Sequence, residues 1–404
     1  MEPALTWLDL TVRDREKMQR VLDLFSEQGT VDEMGLGTLR DALSDALFPG
    51  TSSIQTRLRY VLFIPWLYQR LAPRVRSGEI MDVSRAARDA ETGLIGPLLD
   101  SDDTQGVIGS MARSRLSRLP SEVYWGAMVR WRVFSHSKSQ SWLHTHFESL
   151  AHGISETGRP DDPGIVWSRQ PIWHPRLPPA PKGFPWKASF DLAAEEADFI
   201  RGRLEEQCGG TLLAWLARAG SATPAESFWE DPAALGANRK IASTVELARR
   251  FSLHVEGIPL LYNLVLAEHY ARQHGDDQGL ISDYQTELDE WAARERSEAP
   301  FGPRALWTFV AEQDGRLVEP QRRFVESWTR RVTAIGPAAV ASDAFLKNLV
   351  EHRELQLKGP RARLANAGRL LDWSCRGRVG VGRMDFRWFR VRQLLTDLHR
   401  GLAA

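Results

Sequence analysis

The sequence has 404 residues, with 52 cationic and 52 acidic side chains and a hydrophobic fraction of 43%. Its length exceeds a single typical core, which predicts two or three subdomains. The two cysteines, Cys208 and Cys375, exclude a disulfide framework and favour a reducing compartment. No basic-then-apolar leader and no apolar run long enough for a bilayer occurs, so the sequence predicts a cytoplasmic chain without membrane spans.

The N-terminal part predicts two helices before a tight turn. Residues 14–27 form the first, with apolar side chains at helical spacing. Thr38 can cap the second through its hydroxyl, with Asp41 in the capping-box position. Phe48-Pro49-Gly50 ends this helix, because proline cannot continue it and glycine accepts a left-handed turn.

The next stretch predicts a buried helix with a capped start. Three successive hydroxyls, Thr51, Ser52 and Ser53, predict the N-terminus of a helix that begins near Ile54. The segment from Tyr60 to Tyr68 carries no charge, which predicts burial at the centre of the core. Pro65 removes a backbone hydrogen bond, so a bend is expected there.

Two arginines follow the hydroxyl cluster. Free N–H groups at a helix N-terminus, together with hydroxyls and arginines, can hold a phosphate or a carboxylate. The candidate anion site therefore consists of Thr51, Ser52, Ser53, Arg57 and Arg59. The alternative is an ordinary helix cap whose arginines pair with Asp41, Asp45 or other acids.

Eight prolines between Pro160 and Pro185 predict an extended crossing, since neither a helix nor a central strand tolerates that density. Trp167, Trp173 and Trp186 are its expected anchors. The crossing is taken as the main boundary of the chain. The predicted segments are an N-terminal helical domain (1–158), the proline-rich crossing (159–188), a central helical domain (189–357) and a basic C-terminal segment (358–404).

Beyond the crossing the pattern is helical almost throughout. The fold class predicted is therefore mainly α, with multi-helical, packed subdomains. A glycine-rich loop or hairpin is expected at residues 377–382. The predicted helices span residues 192–208, 212–219, 239–273, 281–296, 305–313, 320–333, 341–351 and 385–402.

The C-terminal segment carries the clearest charge asymmetry. From Lys358 onward there are eleven cations and three acids, a net charge of +8 that leaves −8 for the rest. Arginines alternate there with aromatic residues, a pattern that suits phosphate contacts and base stacking. The alternative is docking on the acidic segments 191–206 and 276–298 of the same chain. The candidate nucleic-acid contacts are Arg376, Arg378, Arg383, Arg387, Arg390 and Arg392.

Other motifs give weaker signals. His136, His144, His146 and His152 cluster in sequence, but no cysteine lies near them and no acid stands at a recognised metal spacing, so no metal site is predicted. Glu354 and Lys358 can be read as the end of a nuclease motif, with Asp343 or Asp372 as the missing acid. A solvated, charged helix is favoured instead for residues 354–358. No dinucleotide or phosphate-binding glycine loop occurs, and no cofactor is predicted.

Two runs resemble a known family. The run DEMGLGTLRDALSDALFPGTSSIQTRLRYVLFIPWLY (residues 32–68) resembles the N-terminal signature of an uncharacterised family of bacterial proteins of about this length. The run GRMDFRWFRVRQLLTDLH (residues 382–399) resembles its closing segment. The resemblance spans the whole chain, with looser agreement in the middle. It implies no known activity or catalytic residues, and it implies an association with bacterial defence gene neighbourhoods.

The sequence therefore predicts a non-catalytic helical subunit that binds nucleic acid or a partner protein in a bacterial multi-gene system for anti-phage defence. One alternative is a nuclease or other phosphoester-acting enzyme that uses an unrecognised site. A second alternative is a pure protein scaffold. The absence of strong catalytic motifs weighs against an ordinary enzyme.

Overall fold

The computed structural model describes residues 34–112, 116–153, 171–275, 279–313, 319–371, 373 and 382–404. Within these ranges the chain is mainly α, as predicted, and the β-type pairing consists of one isolated bridge between Phe134 and Trp173. None of the helices found there is long and apolar enough to cross a bilayer. The helices are α1 (Gly37–Leu47), α2 (Tyr60–Arg76), α3 (Val83–Gly93), α4 (Ile95–Leu99), α5 (Pro120–Arg130), α6 (Gln140–Ala151), α7 (Ala194–Cys208), α8 (Leu212–Ala219), α9 (Pro232–Leu235), α10 (Arg239–His274), α11 (Leu280–Arg296), α12 (Pro303–Glu312), α13 (Glu319–Ile335), α14 (Ala344–Lys358), α15 (Ala367–Leu371) and α16 (Trp388–Leu402), with 3-10 helices at Pro337–Ser342 and Gly359–Arg361.

The chain forms two compact units, each built from segments that are distant in sequence. Unit 1 comprises Met1–Leu43 and Glu246–Phe386, and unit 2 comprises Ser44–Val245 and Arg387–Ala404. The last helix, α16, therefore belongs to the same unit as residues 44–245. The four-segment division derived from composition stays a prediction.

Helix α2 is the centre of unit 2. Every residue from Tyr60 to Tyr68 is buried, which confirms the prediction from the uncharged run. The helix packs against α3, α5 and α6. Tyr60 lies 5.4 Å from the ring of Tyr124 on α5, and Tyr68 lies 5.7 Å from Phe147 on α6. The bend at Pro65 stays a prediction, although the helix continues through this residue to Arg76.

The described part of the proline-rich crossing is anchored by a phenylalanine. Phe184 is buried, its ring stacks on Phe63 at 5.6 Å, and it lies 5.3 Å from Trp66. Trp173 is also buried, as expected, whereas Trp186 is 75% exposed and is not an anchor. The prediction for Trp186 was wrong because Phe184 fills the aromatic pocket beside α2. Trp167 lies outside the described residues.

In unit 1, α10 packs on α11 and α13 through aromatic and polar contacts. Trp291 on α11 donates to the carbonyl of Leu253 at 2.8 Å. The ring nitrogens of His254 bond to Glu295 at 2.7 Å and to Thr329 at 2.9 Å, so this buried histidine has a partner on each neighbouring helix. The His254 ring is tolerated in this core because both of its nitrogens are hydrogen-bonded.

The predicted cap at Thr38 is wrong. Helix α1 begins one residue earlier, at Gly37, and the Thr38 hydroxyl donates to Gln321 Oε1 at 2.8 Å. The Gln321 amide also donates to the carbonyl of Gly35. A distant side chain therefore organises the start of α1. The predicted helix at residues 14–27 lies outside the described residues, as does the glycine-rich loop except for Gly382.

Candidate functional site

The two candidate sites predicted from separate parts of the sequence meet in unit 2. Arg387, which directly precedes α16, donates to the carbonyl of Thr51 at 2.9 Å and to Asp45 Oδ1 at 2.7 Å. Arg390 donates through Nε to the carbonyl of Ser53 at 2.8 Å. The loop before α2 therefore lies against the start of α16.

The hydroxyl cluster does not cap α2, which begins at Tyr60 and not near Ile54. The Thr51 hydroxyl turns back and donates to the carbonyl of Phe48 at 2.7 Å. Gln55 closes the loop from within, donating to the carbonyl of Gly50 at 3.1 Å. These local bonds hold the loop in a non-helical conformation, at the position where the sequence predicts the first turn of the helix.

Side chains from distant elements accept hydrogen bonds from the backbone N–H groups of this loop. The backbone N–H groups of Thr56 and Arg57 both donate to the Tyr124 hydroxyl at 2.9 Å. The N–H of Leu58 donates to Asp397 Oδ2 on α16 at 2.9 Å. Backbone donors that a helix N-terminus would offer to an anion are thus bonded to the protein itself.

Both arginines of the candidate anion site are buried and paired with carboxylates. Arg57 contacts Asp397 at 3.0 Å and Asp103 at 2.6 Å. Arg59 contacts Glu196 at 2.7 Å. Burial raises the pKa of the Asp397 carboxyl, against the opposing effect of its hydrogen bonds from Arg57 and Leu58. The arginines pair with acids, as the alternative interpretation held, although the acids are not Asp41 or Asp45.

The remaining C-terminal arginines have different surroundings. Arg392 pairs with Glu226 at 2.5 Å on the surface of unit 2. Arg383 belongs to unit 1, where it donates to the carbonyl of Arg249 at 3.1 Å. A hydrogen bond from Arg249 lowers the pKa of the Glu298 carboxyl, and the charge of Arg383 adds to this effect. Arg376 and Arg378 lie outside the described residues.

An exposed aromatic residue marks the surface of α16. Phe389 is 54% exposed, and the Arg390 guanidinium lies 4.2 Å over its ring. Its neighbour Trp388 is buried and donates to the carbonyl of Ala225 at 3.0 Å. Helix α16 therefore presents the Phe389 ring outward with the partly buried Arg390 beside it, and Trp388 anchors the helix.

Three of the four clustered histidines contact neighbouring side chains, and His152 is exposed. His144 Nε2 lies 2.6 Å from the Tyr68 hydroxyl, and His146 stacks on Trp142 at 4.5 Å. His136 contacts the rings of Phe134 and Trp142, and His152 follows the last residue of α6. Across the described ranges, no group of three or more metal-ligating side chains is placed to hold an ion.

A second cluster, in unit 1, was missed by the sequence analysis. Glu354 on α14 is fully buried, so the expectation of a solvated helix was wrong at this residue, although residues 355–357 are exposed as expected. Its carboxylate accepts from the Tyr262 hydroxyl at 2.5 Å, from Lys358 Nζ at 2.9 Å and from the N–H of Arg363 at 3.0 Å. Glu354 and Lys358 lie one helical turn apart, and such a pair of opposite charges is typical of a helix surface. The burial of Glu354 becomes visible only in the structure, where Tyr262 on another helix faces it.

The acids expected to complete a nuclease motif are not part of this cluster. Asp343 caps α14 through the N–H of Leu346 at 2.9 Å and pairs with Arg331 at 2.5 Å. Asp372 lies outside the described residues. Glu354 is therefore held by a tyrosine, a lysine and backbone amides.

The family model for a family of unknown function, DUF6361, matches residues 3–401. The chain belongs to this family. No curated protein and no solved structure matches the chain. The match extends from the third residue to the last turn of α16, so a member of the DUF6361 family includes both units described above. The family description carries no activity.

Proposed function

We propose that this member of the DUF6361 family is a non-catalytic, mainly helical subunit whose C-terminal segment binds nucleic acid. The observation that carries the proposal is the exposed ring of Phe389 on α16, with the Arg390 guanidinium 4.2 Å over it. Exposed aromatic faces stack on bases without regard to sequence, and guanidinium groups contact phosphates with two parallel hydrogen bonds. Arg392, one turn away from Phe389, adds a half-exposed cation.

The charge of the segment supports the same proposal. Eleven cations and three acids from Lys358 onward give a strongly positive segment in a chain of zero net charge. Binding through such a segment releases counterions from the phosphate backbone, so it must weaken steeply as salt rises. Sequence preference should be slight, because stacking and phosphate contacts carry little base information.

The biological setting is part of the proposal. The resemblance of residues 32–68 and 382–399 to bacterial proteins associated with defence neighbourhoods supports a role in a bacterial multi-gene system against phage. A subunit of such a system would also contact partner proteins. Both statements rest on the resemblance alone.

The test is fluorescence anisotropy with labelled single- and double-stranded DNA and RNA over a salt series. The double variant Phe389→Ala with Arg392→Gln removes exposed groups and leaves the internal bonds of Arg387 and Arg390 intact. We expect its affinity to fall about tenfold or more, since one stacked base contributes ~1–3 kcal/mol. The matched control is Phe345→Ala with Arg323→Gln, which removes an exposed phenylalanine and an exposed arginine of unit 1.

The outcomes distinguish the three functional hypotheses. An unchanged affinity of the Phe389/Arg392 variant would overturn the placement of the nucleic-acid site on α16. If the protein binds no nucleic acid, the proposed function is overturned in favour of a protein scaffold. The series is repeated with Mg²⁺, and the oligonucleotides are then run on a denaturing gel. Strand cleavage would favour the phosphoester-acting enzyme over the non-catalytic subunit.

A further inference from the structure

A cavity opens in unit 2 where the end of α7 turns into α8. Its volume is about 400 Å³, which is in the range of small-molecule sites. The lining includes Glu205 on α7, Trp215 and Arg218 on α8, and Asn238 and Ile241 at the start of α10. We propose that this cavity binds a small zwitterion with an apolar side chain, of the size of a free amino acid, with its carboxylate on Arg218 and its ammonium group on Glu205.

A pair of glycines forms the turn between the two helices. Helix α7 ends at Cys208, and Gly210 follows with a φ of +85°, a left-handed conformation that glycine adopts without strain. Thr211 then begins α8: its hydroxyl donates to the Cys208 carbonyl at 2.8 Å, and its oxygen accepts from the N–H of Ala214 at 3.4 Å. Gly209 and Gly210 line the cavity without side chains to fill it, so the turn leaves the space open.

Trp215 supplies an apolar wall of the cavity. Its indole N–H donates to the carbonyl of Ala233 at 2.7 Å, which fixes the ring and satisfies the only polar atom of the side chain. The central carbon of the Arg218 guanidinium lies 5.0 Å from the centre of this ring, so the aromatic face also restricts the arginine. The buried residues Ala214 and Ile241 continue the apolar lining. The cavity therefore offers a surface for the hydrocarbon part of a ligand, with a positioned guanidinium beside it.

Two opposite charges line the cavity without pairing with each other. Among the residues that the structure describes, neither Glu205 nor Arg218 has an ion-pair partner or a hydrogen bond from its side chain. The next residue along α7, Glu206, is paired, with Arg176 at 2.7 Å. A ligand with a single charge would satisfy one of the two unpaired side chains and partly desolvate the other without compensation. A zwitterion satisfies both through charge-assisted hydrogen bonds.

Asn238 adds hydrogen-bond donors to the lining. Its Oδ1 atom accepts from the N–H groups of Lys240 and Ile241, both at 3.1 Å, and so caps the start of α10. The amide Nδ2 donors are left for a ligand. A ligand carboxylate can accept from this amide as well as from Arg218, whereas the side-chain acceptor for the ammonium group is the Glu205 carboxylate.

Three matched compounds separate the contributions of the two charges. Norleucine carries both charges, hexanoate lacks the ammonium group, and pentylamine lacks the carboxylate, while all three have a straight hydrocarbon chain. The full-length protein is labelled with fluorotryptophan, and fluorine NMR follows its fifteen tryptophan signals during titration with each compound. The signal that is missing from the spectrum of Trp215→Phe belongs to Trp215, so binding in the cavity is distinguished from binding elsewhere.

We expect norleucine to shift the Trp215 signal and to bind about tenfold more tightly than either analogue, because each analogue leaves one charged side chain without a partner. Titration to about 10 mM detects even a millimolar affinity. The absence of a shift of the Trp215 signal with norleucine would overturn the proposal. An affinity for either analogue equal to that for norleucine would also overturn it.

Two single variants assign the charges. Arg218→Gln should lower the affinity for norleucine about tenfold and leave that for pentylamine unchanged, and Glu205→Gln should lower it similarly and leave that for hexanoate unchanged. Both side chains are exposed, so neither substitution should disturb the fold. The controls are Arg85→Gln on α3 and Glu195→Gln on α7, which remove exposed charges of unit 2 outside the cavity. Wild-type affinity for norleucine in Arg218→Gln or in Glu205→Gln would overturn the assignment of both charges to a zwitterion.

Binding in this cavity is independent of nucleic-acid binding by α16. Phe389 and Arg392 are not part of the lining, and no nucleic acid enters the titration. The two proposals therefore fail separately.

Discussion

Asp397, seven residues from the C-terminus, holds both the side chain of Arg57 and the backbone N–H of Leu58, at 3.0 and 2.9 Å. All three groups are buried. The loop that precedes the central helix α2 therefore has its conformation fixed by the last helix of the chain. Tyr124 completes the loop from another side, so three elements of unit 2 determine the start of α2.

Asp397→Asn should destabilise unit 2 strongly. The substitution keeps the shape but removes the charge opposite Arg57, whose remaining carboxylate partner Asp103 has a side chain that is 41% exposed. Removing one partner of a buried ion pair costs ~3–5 kcal/mol when the other charge is left unpaired, and because Arg57 keeps Asp103 the loss should lie near the lower end of that range. Urea unfolding monitored by circular dichroism measures the change. The control is Glu79→Gln, which removes a surface pair with Arg74 and should leave the midpoint unchanged. Equal midpoints for both variants would contradict the expectation.

These contacts show where the sequence was informative and where it was not. The burial of Tyr60–Tyr68 could be predicted because nine uncharged residues in a helix leave no face for water. The start of α2 could not, because the groups that hold residues 56–58 come from Tyr124 and Asp397, far along the chain. Local hydroxyls signal a helix cap only when no distant partner competes for the backbone.

The same limit applies to the candidate sites. Arginines near hydroxyls suggested an anion site, and the acids that pair with Arg57 and Arg59 lie 46 to 340 residues away in sequence. The burial of Glu354 was hidden for the same reason, since its tyrosine partner stands 92 residues earlier. Charge patterns along a sequence give the sign of a segment's net charge, whereas the tertiary fold determines which residue pairs with each charged side chain.

A buried glutamate predicts a pH-dependent stability. Glu91 on α3 accepts from the N–H of Ser121 at 2.7 Å, and burial raises its pKa from 4.5 to about 7. Because the folded pKa is the higher one, the folded state is favoured by protonation. The contribution is complete below pH 4.5 and is lost as the pH rises to about 7. Glu91→Gln, which cannot ionise, should therefore be more stable than the wild type above pH 7.

The difference between the two proteins is the measured quantity. The unfolding free energy of Glu91→Gln minus that of the wild type should grow between pH 4.5 and 7 and then remain constant. The rise should reach about 3 kcal/mol, the equivalent of the pKa shift. Glu148→Gln, at an exposed position of α6, is the control and should give a flat difference. A flat difference for Glu91→Gln would mean that this carboxyl ionises as readily in the folded protein as in the unfolded chain.

Gly257 lies where α10 passes α11. A Cβ at this position would stand 2.6 Å from the Trp291 ring, closer than van der Waals contact allows. Gly257→Ala should therefore destabilise unit 1 by ~1–3 kcal/mol through overpacking, in spite of the better helix propensity of alanine. Gly126→Ala on α5 is the control, because no atom lies within 4 Å of its added Cβ. It should stabilise the protein by ~1 kcal/mol. Equal thermal shifts for the two variants would show that Trp291 can move aside.

The aromatic anchor of the proline-rich crossing can be tested by limited proteolysis. Phe184 packs on Phe63 and Trp66, so its removal should release the described part of the crossing and open a cavity beside α2. Phe184→Ala should therefore speed tryptic cleavage after Lys182, whose side chain is exposed and whose backbone lies in the turn closed by the hydrogen bond from the Phe184 N–H to the Pro181 carbonyl. Mass spectrometry of the fragments over time gives the rate. Trp186→Ala is the control two residues away: its side chain is 75% exposed, and the rate should match the wild type. Faster cleavage in Trp186→Ala than in Phe184→Ala would reassign the anchor to the tryptophan.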